Sequence, residues 1–250
     1  MLKKALESVI GQSYHNWECI IIDDGSKDET RKIIQDVINL DKRFHYFFGP
    51  DYDLKGANAC RNFAFRKSTG DFIQYLDDDD LLGSNKIESQ INVLSNSSSD
   101  AIATSKWDFF KNSVGDVESQ NLDVYRNFDN IEDFIFSLSF CHCYFPPLAY
   151  LIPREFIIRA GEWNEHLEIN QDGEFMSRVF TKIKKVVFAE SAQVYYRQHE
   201  GPRTSLLNSE KKISQAIKSW DLIESTFKIR FGHRTRLVEV SRKYLKEKMK

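Results

Sequence analysis

Tyr75-Leu76-Asp77-Asp78-Asp79-Asp80-Leu81-Leu82 is the stretch on which the reading of this chain turns. Four consecutive carboxylates follow Phe72-Ile73-Gln74-Tyr75-Leu76, a run with strand composition: aromatics, Ile and no Pro. A strand that ends in Asp-x-Asp delivers its acids at the edge of a sheet. In extended backbone Asp77 and Asp79 leave on the same side, and such a pair can hold one hard cation. The competing reading is a helix amino terminus, where acids favour the first turn. A cap uses one or two acids, however, and four adjacent negative charges are costly without a counter-ion.

Upstream, Trp17 to Ile22 reads as a buried strand broken at Asp23-Asp24-Gly25-Ser26, with a helix over about Thr30 to Leu40. His45 to Phe48 reads as a second strand, and a helix from about Gly56 to Lys67 leads into the acidic stretch. Leu2, Ala5, Leu6, Val9 and Ile10 recur at helical spacing and open the chain. Alternating strands and helices predict a mostly parallel sheet wound by right-handed crossovers. Ligands of open α/β sheets bind outside the carboxyl ends of strands, so Asp23, Asp24 and Asp77 to Asp80 are expected to face one crevice. Downstream, strands are expected at Ala101–Ala103, Trp107–Phe110, Leu148–Ile152, Val186–Phe188 and Val194–Tyr196. Asp172 starts a helix that runs over Gly173 to Lys182, and beyond Leu206 the pattern is helical and basic.

Composition narrows the function classes. Lys and Arg number 35 against 37 Asp and Glu, a net charge of −2 over 250 residues, which argues against a dedicated nucleic-acid binder. No apolar run approaches the roughly 20 residues of a membrane span. Met1 to Glu7 lacks the apolar core of a secretory signal, so a cytoplasmic protein is expected. Cys19, Cys60, Cys141 and Cys143 are expected to be reduced, partly buried thiols. Cys141-His142-Cys143 lacks a second ligand pair for a zinc site.

The ordered set of motifs resembles a family 2 glycosyltransferase of the GT-A type. The resemblance rests on Ala5-Leu6-Glu7-Ser8-Val9 with Gln12-Ser13-Tyr14, on Trp17 to Ser26, on Gly56-Ala57-Asn58-Ala59-Cys60-Arg61-Asn62, and on Gly70-Asp71-Phe72. It continues through the acidic run, Gln171-Asp172-Gly173-Glu174-Phe175 and Tyr196-Arg197-Gln198-His199. It implies a GT-A domain over 1–205, with one Rossmann-like wound sheet flanked by helices, and a basic helical extension over 206–250. The family's usual opening strand is not in this sequence, because Met1 falls inside the first helix.

The resemblance also implies chemistry. Asp24, with Asp23 beside it, would meet the nucleotide base, although a plain turn with a helix cap accounts equally for these residues. Arg61 would add a donor near base or diphosphate. Asp77 and Asp78 would hold the donor, and Asp79 with His199 would bind Mn2+ or Mg2+. Asp172 would be the general base, with Glu174 as the competing carboxylate. Trp163 and Glu165 read equally as sugar-site lining or core. The implied activity is inverting, metal-dependent sugar transfer from a nucleotide-sugar donor, a UDP-sugar, to a glycan or lipid-linked acceptor in surface polysaccharide assembly. The loops Ser113–Asn130 and Phe140–Pro147 are expected to set specificity. The basic tail is expected to be a helix packed on the catalytic domain with its basic face in water, the alternative being peripheral contact with the inner face of the membrane. The alternatives are a nucleotidyltransferase and a non-catalytic nucleotide-sugar-binding module.

Overall fold

Strand β1 (Cys19–Asp23) is built from an apolar run and ends where the Asp23 carboxylate accepts hydrogen bonds from the amides of Gly25 and Ser26. It runs parallel to β2 (Phe44–Phe48), in register from Cys19 beside Phe44 to Asp23 beside Phe48. The crossover between them is α2 (Thr30–Leu40), which buries Ile34 and Val37. This architecture comes from a computed structural model that describes residues 1–97, 99–117, 119–198 and 207–248.

The centre of the molecule is a second parallel pair. Strands β5 (Ala101–Phe110) and β7 (Lys185–Arg197) lie side by side with a register shift between Ser105 and Lys106. Each therefore joins two strands that the sequence pattern separates. Strand β4 (Leu81–Leu82) continues the acidic run and pairs antiparallel with β7 at Tyr195 and Val194. Strand β3 (Phe72–Ile73) pairs antiparallel with β6 (Ile152–Pro153). The Glu18 carboxylate accepts from the amides of Thr69 and Gly70, tying the entry of β1 to the entry of β3.

Helices α1 (Leu2–Ile10), α3 (Ala57–Lys67), α4 (Lys86–Ser95), α5 (Ile131–Cys141), α6 (Arg154–Ala160) and α7 (Gln171–Phe180) surround these strands. Their apolar faces meet in one core that includes Phe134, Phe156, Phe175 and Ile102. The basic C-terminal part forms α8 (Glu210–Phe231) and α9 (Arg236–Lys248). Ile223 and Phe227 of α8 and Val238 of α9 join the same core.

Three local expectations are corrected. The strand leading to the acids pairs only at Phe72 and Ile73, and the acids are not extended. Asp78 and Asp79 form a turn closed by the Asp80 amide donating to the Asp77 carbonyl at 3.3 Å. Splaying the carboxylates around a turn separates like charges that a straight strand would align. Pro146 and Pro147 lack N–H donors, and the expected strand over Leu148–Ile152 gives way to a 3-10 turn, Pro147–Ala149, and the two-residue β6. Cys141 and Cys143 are joined in a disulfide rather than reduced, with Cα atoms 5.2 Å apart. His142, left-handed at φ 51°, reverses the chain at the end of α5 and brings the two together. Cys19 and Cys60 are free thiols.

Among the described residues one lysine side chain is wholly enclosed. Lys86 is fully buried and its Nζ donates to the Tyr150 carbonyl at 3.1 Å. Burial holds this amine well below its ordinary range. Between the folded and unfolded values the unfolded chain binds the extra proton, so stability rises with pH across that window and the penalty is greatest at low pH. Lys86→Met removes the penalty and leaves one carbonyl without its donor, a loss of about 1 kcal/mol. Urea unfolding is expected to show a higher midpoint for Lys86→Met at mildly acidic pH. The gap should narrow as pH rises toward the ordinary lysine range.

Candidate active site

Three acids meet in one hollow. Asp77 and Asp80 enter it from the acidic turn and Asp172 from the first turn of α7. Tyr75, Tyr144, Pro146, Pro147, Leu148 and Tyr196 complete the wall. Of the two loops expected to set specificity, Phe140–Pro147 contributes to this wall and Ser113–Asn130 does not.

Each acid sits in a different environment. Asp77 is exposed and accepts from Arg61 Nη2 at 2.8 Å. Asp78 is exposed, yet its carboxyl is pushed up by partial desolvation and by the neighbouring Asp79 and Asp77. The Asp79 carbonyl accepts from Arg197 Nε at 2.8 Å. Asp80 is buried and accepts from the Arg197 amide at 2.8 Å. Burial pushes Asp80 up to about 8; the amide hydrogen bond offsets part of this, and Asp79 and Asp77 add to it. At neutral pH Asp80 therefore carries its proton, and this relieves the crowding of the turn.

Among the described residues two groups of the hollow lack a partner: the Tyr75 hydroxyl and the Asp172 carboxyl. Asp172 Oδ1 is buried with no hydrogen-bond partner. Burial pushes the Asp172 carboxyl up to about 6, against the pull of the Arg61 charge and with a push from Asp77. Asp172 is not the cap of its helix: that residue is Asn170, left-handed at φ 52°. Asn170 is fixed from outside the motif. Its Nδ2 donates to Ser219 Oγ at 2.9 Å, and Ser219 Oγ donates back to the Asn170 carbonyl at 3.1 Å. Glu174, the competing carboxylate, is fully engaged. Arg178 grips both its oxygens, at 2.8 and 2.9 Å, and also donates to the carbonyls of Ala160, Gly161 and Glu162.

Arg61 ties the acidic turn to the core beneath it. Its guanidinium lies 4.7 Å from the centre of the Trp163 ring, between Asp77 and the field of Asp172. Trp163 is buried and stacks on Phe175 at 4.2 Å, so it belongs to the core and serves as the floor under Arg61. Glu165 accepts from Asn62 at 2.8 Å. Asp24 is exposed and accepts from the Gly56 amide at 3.2 Å, ahead of α3. Asp23 is consumed by the turn: burial would raise its carboxyl, but hydrogen bonds from Ser26, Tyr46 and Gly25 hold it below the usual carboxylate range. Asp24 and Asp79 do not line the hollow, and Asp23 faces its own turn. His199, expected at the metal, lies outside the described residues.

Sequence reasoning missed several members of the site. Asn58 donates to the carbonyls of Asn164 and Leu167, and Asn62 exchanges hydrogen bonds with the backbone of Trp163. Two amides one turn apart on α3, flanking Arg61, were the signal for this staple. Tyr144 and Tyr196 gave no signal beyond being aromatic residues near motifs.

The residues fit a divalent cation in one manner only. Among the described residues no three His, Cys, Asp or Glu side chains converge into a protein cage. The acidic turn offers oxygen donors alone, and Mg2+ or Mn2+ is commonly held by one or two carboxylates together with substrate phosphates. Asp78, pushed up by desolvation and then by Asp79 and Asp77, is a group whose charge a cation would offset.

The family model for glycosyl transferase family 2 matches residues 1–150. The chain belongs to glycosyl transferase family 2. Within this family it is 42% identical over 93 residues to an uncharacterised glycosyltransferase of Haemophilus influenzae, which covers 37% of this chain and 36% of that one. It is 35% identical over 82 residues to the GalNAc(5)-diNAcBac-PP-undecaprenol beta-1,3-glucosyltransferase of Campylobacter jejuni, covering 33% of this chain and 26% of the relative. Among solved structures, TarS 1-349 of S. aureus in complex with UDP-GlcNAc superposes with a TM-score of 0.72 at 16% identity, over 92% of this chain and 63% of TarS. The family 2 chain thus shares the GT-A architecture and matches a third or so of these curated relatives' length.

The two carboxylates of α7 have opposite consequences for stability. Ionised Asp172 is favoured in the unfolded chain, so the native state loses about 3 kcal/mol as pH rises from the ordinary carboxylate value through about 6. Asp172→Asn is expected to raise the thermal midpoint at neutral pH. Glu174→Gln removes the charged partner of the partly buried Arg178 guanidinium and is expected to cost about 2 kcal/mol. Differential scanning calorimetry of the two variants checks both signs.

Proposed function

We propose that this protein is an inverting, metal-dependent glycosyltransferase that moves a sugar from a UDP-sugar to a hydroxyl of a glycan or lipid-linked acceptor, in the assembly of a surface polysaccharide. The observation that carries the reading is the Asp172 carboxyl, whose Oδ1 is buried without a hydrogen-bond partner, in the same hollow as Asp77 and Asp80. A carboxylate kept unsatisfied has its hydrogen-bonding capacity reserved for a ligand. The TarS complex supports a UDP-sugar donor, and the Campylobacter enzyme supports a lipid-linked acceptor.

Asp172 Oδ1 takes the proton of the acceptor hydroxyl as that oxygen bonds to the anomeric carbon. The bond from that carbon to the diphosphate breaks on the opposite face, so configuration inverts. Arg61 holds positive charge between Asp77 and Asp172 and keeps the base from gaining its proton too early. Asp24, exposed at the end of β1, is placed to accept from the nucleobase, and Asp23 keeps the turn rigid. Asp79, with Asp77 and Asp78 beside it, would hold Mn2+ or Mg2+, which offsets the charge of the departing diphosphate. Tyr144, Tyr196 and Pro146 screen the hollow from bulk water.

No helix among the described residues is long and apolar enough to cross a membrane. A UDP-sugar donor together with a lipid-linked acceptor would set the reaction in the cytoplasm, at the inner face of the bilayer.

The test is nucleoside diphosphate release from a panel of UDP-sugars with Mn2+ and an acceptor glycan. Asp172→Asn should lower kcat by roughly a hundredfold or more, and Asp79→Ala should abolish turnover. The base acts only when ionised, so kcat/KM should climb as pH passes through about 6 and then level. Pyrophosphate release from a nucleoside triphosphate would instead identify a nucleotidyltransferase, and sugar-nucleotide binding without turnover a binding module.

A further inference from the structure

Two phenylalanines stand on the outside of α5 where a core helix should be polar. Phe136 and Phe140 are 50% and 65% exposed and stack on each other with ring centres 6.4 Å apart. They lie one turn apart on the face that Asp133 begins. Beyond them the chain turns at the left-handed His142 and reaches Tyr144, also 49% exposed, which packs on Trp107 and forms part of the mouth of the acidic hollow. An aromatic ridge therefore runs from the middle of α5 to the rim of the candidate active site.

Charge is graded along this ridge. At its middle, Arg236 of α9 lies over the Phe136 ring at 5.6 Å. Arg126 approaches from the other side, its Nη2 donating to Ser137 Oγ at 3.5 Å. The acids of α5 are confined to its amino end, where Glu132 pairs with His233 and Asp133 is exposed. On α9, Lys243 offsets Glu239 along the Arg236 stripe. The sequence of zones is thus acid, then cation, then aromatic.

We infer that this ridge is the surface by which the protein rests on an anionic bilayer, with Phe140 and Tyr144 below the headgroups and Arg126 and Arg236 at the level of the lipid phosphates. Arginine beside an aromatic ring suits that level, since its stem stays on apolar surface and its fork meets phosphate. Interdigitated acids would oppose an anionic surface, and here they sit at the far end of the helix. The inference deepens the proposed function and rests on it only for what the bilayer presents: a lipid-linked acceptor delivered at the rim of the hollow.

The test is cosedimentation of the full chain, without nucleotide, with vesicles of phosphatidylglycerol mixed equally with phosphatidylcholine, and with phosphatidylcholine alone. The wild type should bind the anionic vesicles and lose most of that binding in high salt. Phe136→Ser/Phe140→Ser should bind about tenfold less or weaker still. Arg126→Gln/Arg236→Gln should lose the preference for phosphatidylglycerol while keeping the aromatic contribution. Circular dichroism melts establish that each variant is folded, and turnover with a water-soluble acceptor should be unchanged in the phenylalanine variant. Equal vesicle binding by wild type and the phenylalanine variant would overturn the inference. A wild-type dimer by light scattering that the same substitutions dissociate would overturn it too, making the ridge a subunit contact. Failure of the transferase reading would appear separately, as absence of diphosphate release by a wild type that still binds vesicles.

Discussion

Four carboxylates on four successive residues repel one another, and the structure must contain that repulsion before the site can exist. It does so by three means. The turn splays the side chains, Arg61 neutralises Asp77, and burial keeps Asp80 protonated. Arg197 then binds the turn to β7 through backbone and side chain together, donating to Asp80 and to the Asp79 carbonyl. The longest strand of the fold therefore acts as the anchor of its most highly charged loop. Elements that look remote from the acids, β4 and the register shift in β5, serve to bring β7 to that position.

The second constraint concerns two acids on one helix. Asp172 and Glu174 lie two residues apart in the first turn of α7, and their surroundings drive them to different tasks. Glu174 is gripped by Arg178, whose remaining donors collect the carbonyls that end α6. It is therefore a structural rivet. Asp172 receives no such grip, only the distant pull of Arg61. A carboxyl that pairs well is a poor base, and one that pairs badly is a poor rivet.

The path from sequence to this picture was uneven. The parallel pair β1 and β2, helices α1 to α3 and the turn at Asp23 were legible because apolar period and turn chemistry agree there. Asp172 was singled out through resemblance, and what separates it from the equally enclosed Glu174 is the lack of a partner for its Oδ1, where Glu174 has Arg178. The acidic run misled because strand composition upstream implied extended backbone, whereas repulsion and the pull of Arg197 outweigh it. The stretch after Pro146 misled because apolar residues suggested a strand from Leu148, whereas Pro147 starts a 3-10 turn and pairing begins only at Leu151. The Cys141–Cys143 disulfide depends on the left-handed His142, which local composition does not announce. Tyr144 and Tyr196 are recruited by tertiary packing alone.

Ser219 sits in the middle of α8, far along the chain from the acids, and its hydroxyl holds the backbone that presents Asp172. Helix α8 is thereby a tensioning element for the proposed proton acceptor. Exchanging this helix between related transferases would be a way to retune the proposed base while leaving the acidic turn and the first turn of α7 untouched.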